Sequence, residues 1–97
     1  MSRFEGKVAL LTGVASGIGR ATAHLLASEG ARILGVDVNQ AGLDETAESI
    51  RSAGGTIETR ICDVSSRDAC FEAVEAAVET FGALNILGNI AGVNRFA

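Results

Sequence analysis

Short apolar runs alternate along this chain with longer stretches in which apolar residues recur every three or four positions. Val8-Ala9-Leu10-Leu11 is the first run and predicts a strand from Lys7 to Thr12. A helix is expected from Gly17 to Glu29, with Ala21, Leu25 and Leu26 on its inner face and Gly30 as its stop. Ile33-Leu34-Gly35-Val36 predicts a second strand, Arg32 to Val36. A second helix, Gln40 to Ala53, places Leu43, Ala47 and Ile50 at i, i+4 and i+7, and Gly54-Gly55 ends it. From Thr56 to Ile61, Ile57, Thr59 and Ile61 alternate with Glu58 and Arg60, as on a strand with one wetter face at a sheet edge. Ser65-Ser66-Arg67-Asp68 reads as a capping box. In the helix that follows, Phe71, Val74, Val78 and Phe81 form the expected inner face, and Gly82 closes it. Leu84 to Gly88 completes the pattern as a fourth strand.

Strands separated by helices imply right-handed crossovers and a parallel sheet. The fold class is therefore α/β: a three-layer Rossmann-type half with a parallel sheet of four strands in the order 3-2-1-4. The 97 residues make one small domain, and 47% of them are apolar, enough for a core without disulfides. Net charge is −4 with no run of Lys or Arg, which argues against nucleic acid or an anionic membrane as partner. Asp68, Glu72, Glu75 and Glu79 read as the solvated face of the third helix. Cys62 and Cys70 lack metal or redox spacing, and His24 is the one histidine and is read as a surface residue. No metal site is expected, and two reduced thiols fit a cytoplasmic protein. No run reaches membrane-span length.

The chemistry concentrates where the first strand meets the first helix, in Thr12-Gly13-Val14-Ala15-Ser16-Gly17-Ile18-Gly19. Gly13 permits a tight turn, Gly17 lets the backbone approach a phosphate, and Gly19 lets the helix pack closely. A helix starting there aims unpaired N–H groups and its positive dipole end at the turn, which suits a pyrophosphate. The same glycines also fit an ordinary strand–helix loop. Asp37 ends the second apolar run, 18 residues beyond Gly19, close to the spacing of about 20 for the carboxylate that takes ribose hydroxyls in dinucleotide sites. It also fits a turn or helix N-cap.

Phe4-Glu5-Gly6-Lys7-Val8-Ala9-Leu10, the Thr12-Gly13-x-x-x-Gly17-x-Gly19 spacing, Asp63-Val64 after strand three and Asn89-Ile90-Ala91-Gly92 after strand four together resemble the N-terminal half of the short-chain dehydrogenase/reductase family. The one departure is Ile90, which stands where the family has a second Asn. The resemblance implies cofactor contacts at Gly13, Ser16, Gly17, Ile18, Gly19, Asp37 and Val38. It also implies that Asp63 and Val64 line an adenine pocket, that Asn89 braces the sheet, and that Ala91 and Gly92 approach the ribose. NAD is expected over NADP, because Asp37 would repel a 2′-phosphate and Ser16 and Val38 are neutral where NADP-preferring members are often basic. The family's proton transfer uses Ser and Tyr-x-x-x-Lys, but this sequence has no tyrosine and its one lysine is Lys7. Residues 1–97 thus read as a truncated NAD-binding domain, inactive alone and without catalytic residues. It is expected to form a homo-oligomer through the exposed edge of strand four. A non-catalytic adenine-nucleotide-binding or self-associating module is the alternative. A methyltransferase-like domain fits the glycine turn and the acid but not Thr12-Gly13 or the Asn89 segment. A P-loop is absent, since no Gly-Lys-Ser/Thr follows the turn.

Overall fold

The computed structural model describes residues 4–15, 17–63 and 66–89, the last by its backbone. The order is β1 (Val8–Thr12), α1 (Gly17–Ser28), β2 (Arg32–Asp37), α2 (Gln40–Ser52), β3 (Thr56–Ile61), α3 (Arg67–Phe81) and β4 (Ile86–Asn89). The strands are parallel and lie in the order β3-β2-β1-β4, as the alternation of elements requires. Ala9 is opposite both Ile33 and Ile86, and Thr12 is opposite both Val36 and Asn89. All of β1 is buried, as expected of an inner strand covered on both faces.

Alternation along the strands divides the core in two. Ala9, Leu11, Ile33 and Ile57 meet Ala23 of α1 and Leu43, Ala47 and Ile50 of α2. On the opposite face Leu10, Leu34 and Val36 meet Cys62 and Ala73 and Ala77 of α3. The inner face expected for α2 is the one observed. Those expected for α1 and α3 are met only in part. In α1 the buried residues are Gly19 and Ala23, with Leu26 and Ala27 partly buried, whereas Ala21 and Leu25 are exposed. In α3 the buried residues are Ala73 and Ala77; Val74 and Phe81 pack at the margin, and Phe71 is 63% exposed with Val78 outside as well. Both helices carry apolar residues on more than one face, and the face with small side chains lies closest to the sheet.

The ends of the elements have local causes. Gly30 and Gly54 have positive φ, and the N–H of the residue after each reaches back to the carbonyl of Leu26 or Ile50, which satisfies the helix ends. Ser66 caps α3 by accepting from the Ala69 N–H at 3.2 Å, one residue later than the first position of the expected box, so that Ala69 and not Asp68 stands at the third helical position. Strand β4 begins two residues later than expected, because the Asn85 side chain takes the place of a strand carbonyl and accepts from Val8 N–H at 2.9 Å, while Asn85 N–H donates to Val8 O. Ile57 is buried and Thr59 half-buried on edge strand β3, but Ile61 is exposed. Asp68, Glu72, Glu75 and Glu79 are all exposed, and His24 is half-buried in the groove between α1 and α2 rather than on the open surface.

Candidate functional site

Successive crossovers lead from β1 to β2 to β3 in one direction, and the next crossover returns the chain past β1 to β4. The strand order thus reverses between β1 and β4, and the carboxyl ends of strands at such a reversal border a crevice where ligands bind in open α/β sheets. Gly13 lies at that end, and its N–H donates to Val36 O at 2.9 Å, extending the β1–β2 ladder by one bond. Gly13 has φ +72° and Gly17 φ +60°, conformations that glycine adopts without strain. A Cβ on Gly17 would meet nothing within 4 Å, so the space above it is open. A Cβ on Gly19 would lie 1.8 Å from the Gly13 carbonyl oxygen, so the start of α1 closes directly onto the turn.

The turn is held from below and from the side. Val14 is fully buried and packs where Gly35 of β2 leaves room, and Ala15 packs where Gly42 of α2 does. The Val14 carbonyl accepts from the buried Thr46 hydroxyl at 2.8 Å, and Thr46 Oγ1 in turn accepts from Arg20 Nε at 2.7 Å. Arg20 Nη2 donates to the carbonyls of Ala15 and Gly42 and faces Glu45 Oε1 at 3.3 Å. On the other side, Ala15 N–H donates to Asp37 Oδ2 at 3.1 Å. Asp37 Oδ1 accepts from the N–H groups of Val38 at 2.7 Å and Asn39 at 3.1 Å. Asn39, not Asp37, caps α2, accepting from Gly42 N–H at 3.1 Å. The half-buried Asp37 carboxylate is thus oriented by three backbone donors. An ionised carboxylate has about four acceptor sites, so Asp37 retains capacity for about one more donor unless a backbone bond is released.

Gly13, Gly17, Ile18, Gly19, Asp37 and Val38 therefore gather at one end of the sheet, with Gly17, Ile18 and Val38 exposed. Cys62 N–H donates to Asp37 O at 3.0 Å, which brings the exposed Asp63 to the same end. Asn89 arrives there through its pairing with Thr12. Ser16, Val64, Ile90, Ala91 and Gly92 lie outside the described residues, as does the side chain of Asn89. Thr46, Arg20, Gly35 and Gly42 were not singled out by the sequence reading. Their signals were a polar residue at i+3 in the Leu43–Ala47–Ile50 stripe, a cation directly after Gly19, and glycines inside an apolar strand and a helical first turn.

A second concavity of about 220 Å³ lies on the α3 side of the sheet, bounded by Leu10, Val36, Cys62, Cys70, Val74 and Leu87. Burial, reinforced by Cys70, pushes the Cys62 thiol above its ordinary value of 9.0. Among the described residues, no three of His, Cys, Asp and Glu gather as a metal site would need, and no helix is long and apolar enough to cross a membrane.

The family profile described as short chain dehydrogenase matches residues 7–97. The chain is 40% identical over 95 residues to the 3-oxoacyl-acyl-carrier-protein reductase of Thermotoga maritima, covering 98% of this chain and 39% of that protein. It is 43% identical over 95 residues to the D-threitol dehydrogenase of Mycolicibacterium smegmatis, covering 98% of this chain and 36% of the relative. Its fold superimposes with a TM-score of 0.84 on a short chain dehydrogenase/reductase from Burkholderia phymatum crystallised in complex with NAD. That protein is 38% identical, and the match covers 90% of this chain and 31% of the other. The chain thus spans about two-fifths or less of the length of the proteins it matches.

Proposed function

Since the chain belongs to the short-chain dehydrogenase family, we propose that it carries the site for the adenosine and pyrophosphate of NAD, at the carboxyl ends of β1 and β2. In this reading the pyrophosphate lies over Gly17 at the start of α1, drawn by unpaired N–H groups and the helix dipole. Asp37 takes a ribose hydroxyl, and Asp63 and Val64 line the adenine. Asn89 braces the sheet beside Ala91 and Gly92, while Ser16, Ile18 and Val38 border the cofactor. The observation that carries the reading is the Asp37 carboxylate, held at the end of β2 by Ala15, Val38 and Asn39 N–H groups beside an open glycine turn. The NAD complex of the Burkholderia phymatum relative supports the choice of cofactor class.

The preference is for NAD over NADP. A 2′-phosphate would meet the Asp37 charge, and Arg20, the cation close to the turn, already donates to backbone carbonyls and faces Glu45. Titration calorimetry with both dinucleotides tests this reading: NAD should bind more tightly, and equal affinity would refute the role of Asp37.

The activity proposed for the whole protein is hydride transfer between NAD and an alcohol or carbonyl. The 97 residues hold no tyrosine and, in Lys7, one lysine at the start of the sheet, so they carry no Tyr–Lys pair for proton transfer. Purified as this chain alone, they should form no NADH with a panel of secondary alcohols. Losing an acid–base group typically costs about 10²–10⁴-fold. Steady NADH production would overturn this. The isolated chain is also proposed to self-associate through β4, an edge strand whose Leu87 is 63% exposed. Two copies would meet antiparallel across a two-fold axis. Two thiols, Cys62 and Cys70, not joined in a disulfide, support a cytoplasmic setting.

A further inference from the structure

Ala15 is gripped at both ends of its backbone. Its N–H donates to Asp37 Oδ2, and its carbonyl accepts from Arg20 Nη2. The preceding carbonyl, Val14 O, is held by the Thr46 hydroxyl, which also accepts from Arg20 Nε. One guanidinium on α1 therefore ties together the glycine turn, through Ala15 O, and the first turns of α2, through Gly42 O, Thr46 and Glu45. The planar fork of Arg can serve divergent acceptors in this way; the ammonium of Lys is a compact charge that cannot reproduce it. The ion pair with Glu45 adds little, since Glu45 is 72% exposed. What the fork fixes is the plane of the Ala15 peptides, and with it the direction of the Ala15 N–H.

We propose that Arg20 is a positioning residue for cofactor discrimination: by holding the Val14–Ala15 turn against α2, it aims the Ala15 N–H that orients the Asp37 carboxylate toward the ribose. The inference deepens the NAD reading above and rests on it. Arg20 touches no ligand in this scheme; it acts through Ala15 on Asp37. Without the clamp, the turn can rotate, Asp37 loses one of its three backbone donors, and the carboxylate presents a less defined acceptor. Hydroxyl recognition should then weaken, while the 2′-phosphate, which the carboxylate only repels, loses little.

The test is a double-mutant cycle on the purified protein, reading NAD and NADP dissociation constants for the parent, Arg20→Ala, Asp37→Ala and the double variant. Arg20→Ala is expected to weaken NAD about tenfold, the scale of coupling between groups in one network, and to leave NADP nearly unchanged. In the Asp37→Ala background the same substitution should have almost no further effect on NAD. Arg20→Lys should recover part of the preference. Thr46→Val, which keeps the side-chain volume and removes the hydroxyl, should shift the NAD:NADP ratio in the same direction, and it supplies the reading if Arg20→Ala does not fold. If Asp37→Ala changes the ratio but Arg20→Ala and Thr46→Val do not, or if the Arg20 and Asp37 effects simply add, the positioning role falls and the NAD reading stands. A larger loss for NADP than for NAD on removing Arg20 would make it a direct phosphate ligand and also overturn the proposal. If Asp37→Ala itself leaves the ratio unchanged, the ribose role of Asp37 fails and the inference falls with it.

Discussion

The two faces of the sheet are built from the same strands and are finished to different degrees. Under α1 and α2 lie Leu11, Val14, Ile33, Leu43, Ile50 and Ile57, all large side chains with almost no exposure. Under α3 the strands contribute Leu10, Leu34 and Val36, which are just as buried, but the helix itself supplies only Ala73 and Ala77 to that core while Phe71 and Val78 are exposed. The glycine turn, Arg20, Thr46 and Asp37 are tied to the first face through Val14 and α2. The 220 Å³ concavity and exposed Leu87 belong to the second. The difference teaches where precision resides: a dinucleotide site needs fixed backbone donors, and these are held where large side chains are close-packed.

Truncation should affect the two faces very differently. Leu43→Ala or Ile33→Ala is expected to cost about 2–5 kcal/mol, the range for deleting a fully buried aliphatic side chain. Urea unfolding followed by circular dichroism measures it, and a cost below 1 kcal/mol would mean that the first face is loosely packed. Next in size, Asp37→Ala should weaken NAD binding by about 1.5–3 kcal/mol, as for a hydrogen bond to a charged group, while NADP binding tightens as the repulsion of its 2′-phosphate is removed. Calorimetry on the same samples separates this from any change in stability.

Cys62 sharpens the comparison through pH. Its folded-state value is raised above 9.0, mainly by burial. Below 9.0 the thiol is protonated in both states, and its contribution to stability is fully present. As pH rises through 9.0 the unfolded chain releases the proton first, so stability should fall until the raised folded value is passed. Cys62→Ala should remove that part of the slope in unfolding midpoints measured between pH 8 and 10, taken as about one unit either side of the ordinary value. The smallest effect belongs to the second face. Phe71→Ala should change the stability of the chain by no more than about 0.5 kcal/mol, as for surface positions. Leu87→Lys should shift any dimer seen by sedimentation equilibrium toward monomer. A Phe71 cost comparable to that of Leu43 would show that the second face is covered in solution.

Much of the architecture could be read locally. Gln40 as the start of α2, Thr56–Ile61 as β3, Gly30, Gly54 and Gly82 as helix stops, and the 3-2-1-4 order all follow from periodicity, turn chemistry and the handedness of crossovers. The glycine turn and Asp37 were legible for the same reason: their backbone requirements are written within a few residues of each other. The rotation of α1 and α3 was not, because a helix apolar on two faces satisfies the same periodicity in either orientation. Packing distance to the sheet selected Ala23, Ala73 and Ala77 over Leu25, Phe71 and Val78.

What the amino-acid sequence determined by itself was the succession of elements, the backbone shape of the turn and the acid at the end of β2, since each is set by nearest neighbours and chirality. Tertiary structure decided which partners those groups take. Arg20 meets Thr46 across 26 residues and Ala15 meets Asp37 across 22. Asn85 completes the ladder at Val8 across 77. Such bonds form only after β1 and β2 lie in register and the turn settles with Val14 against Gly35 of β2 and Ala15 against Gly42 of α2. No local preference encodes them, because a side-chain donor in an unfolded chain is satisfied equally well by water.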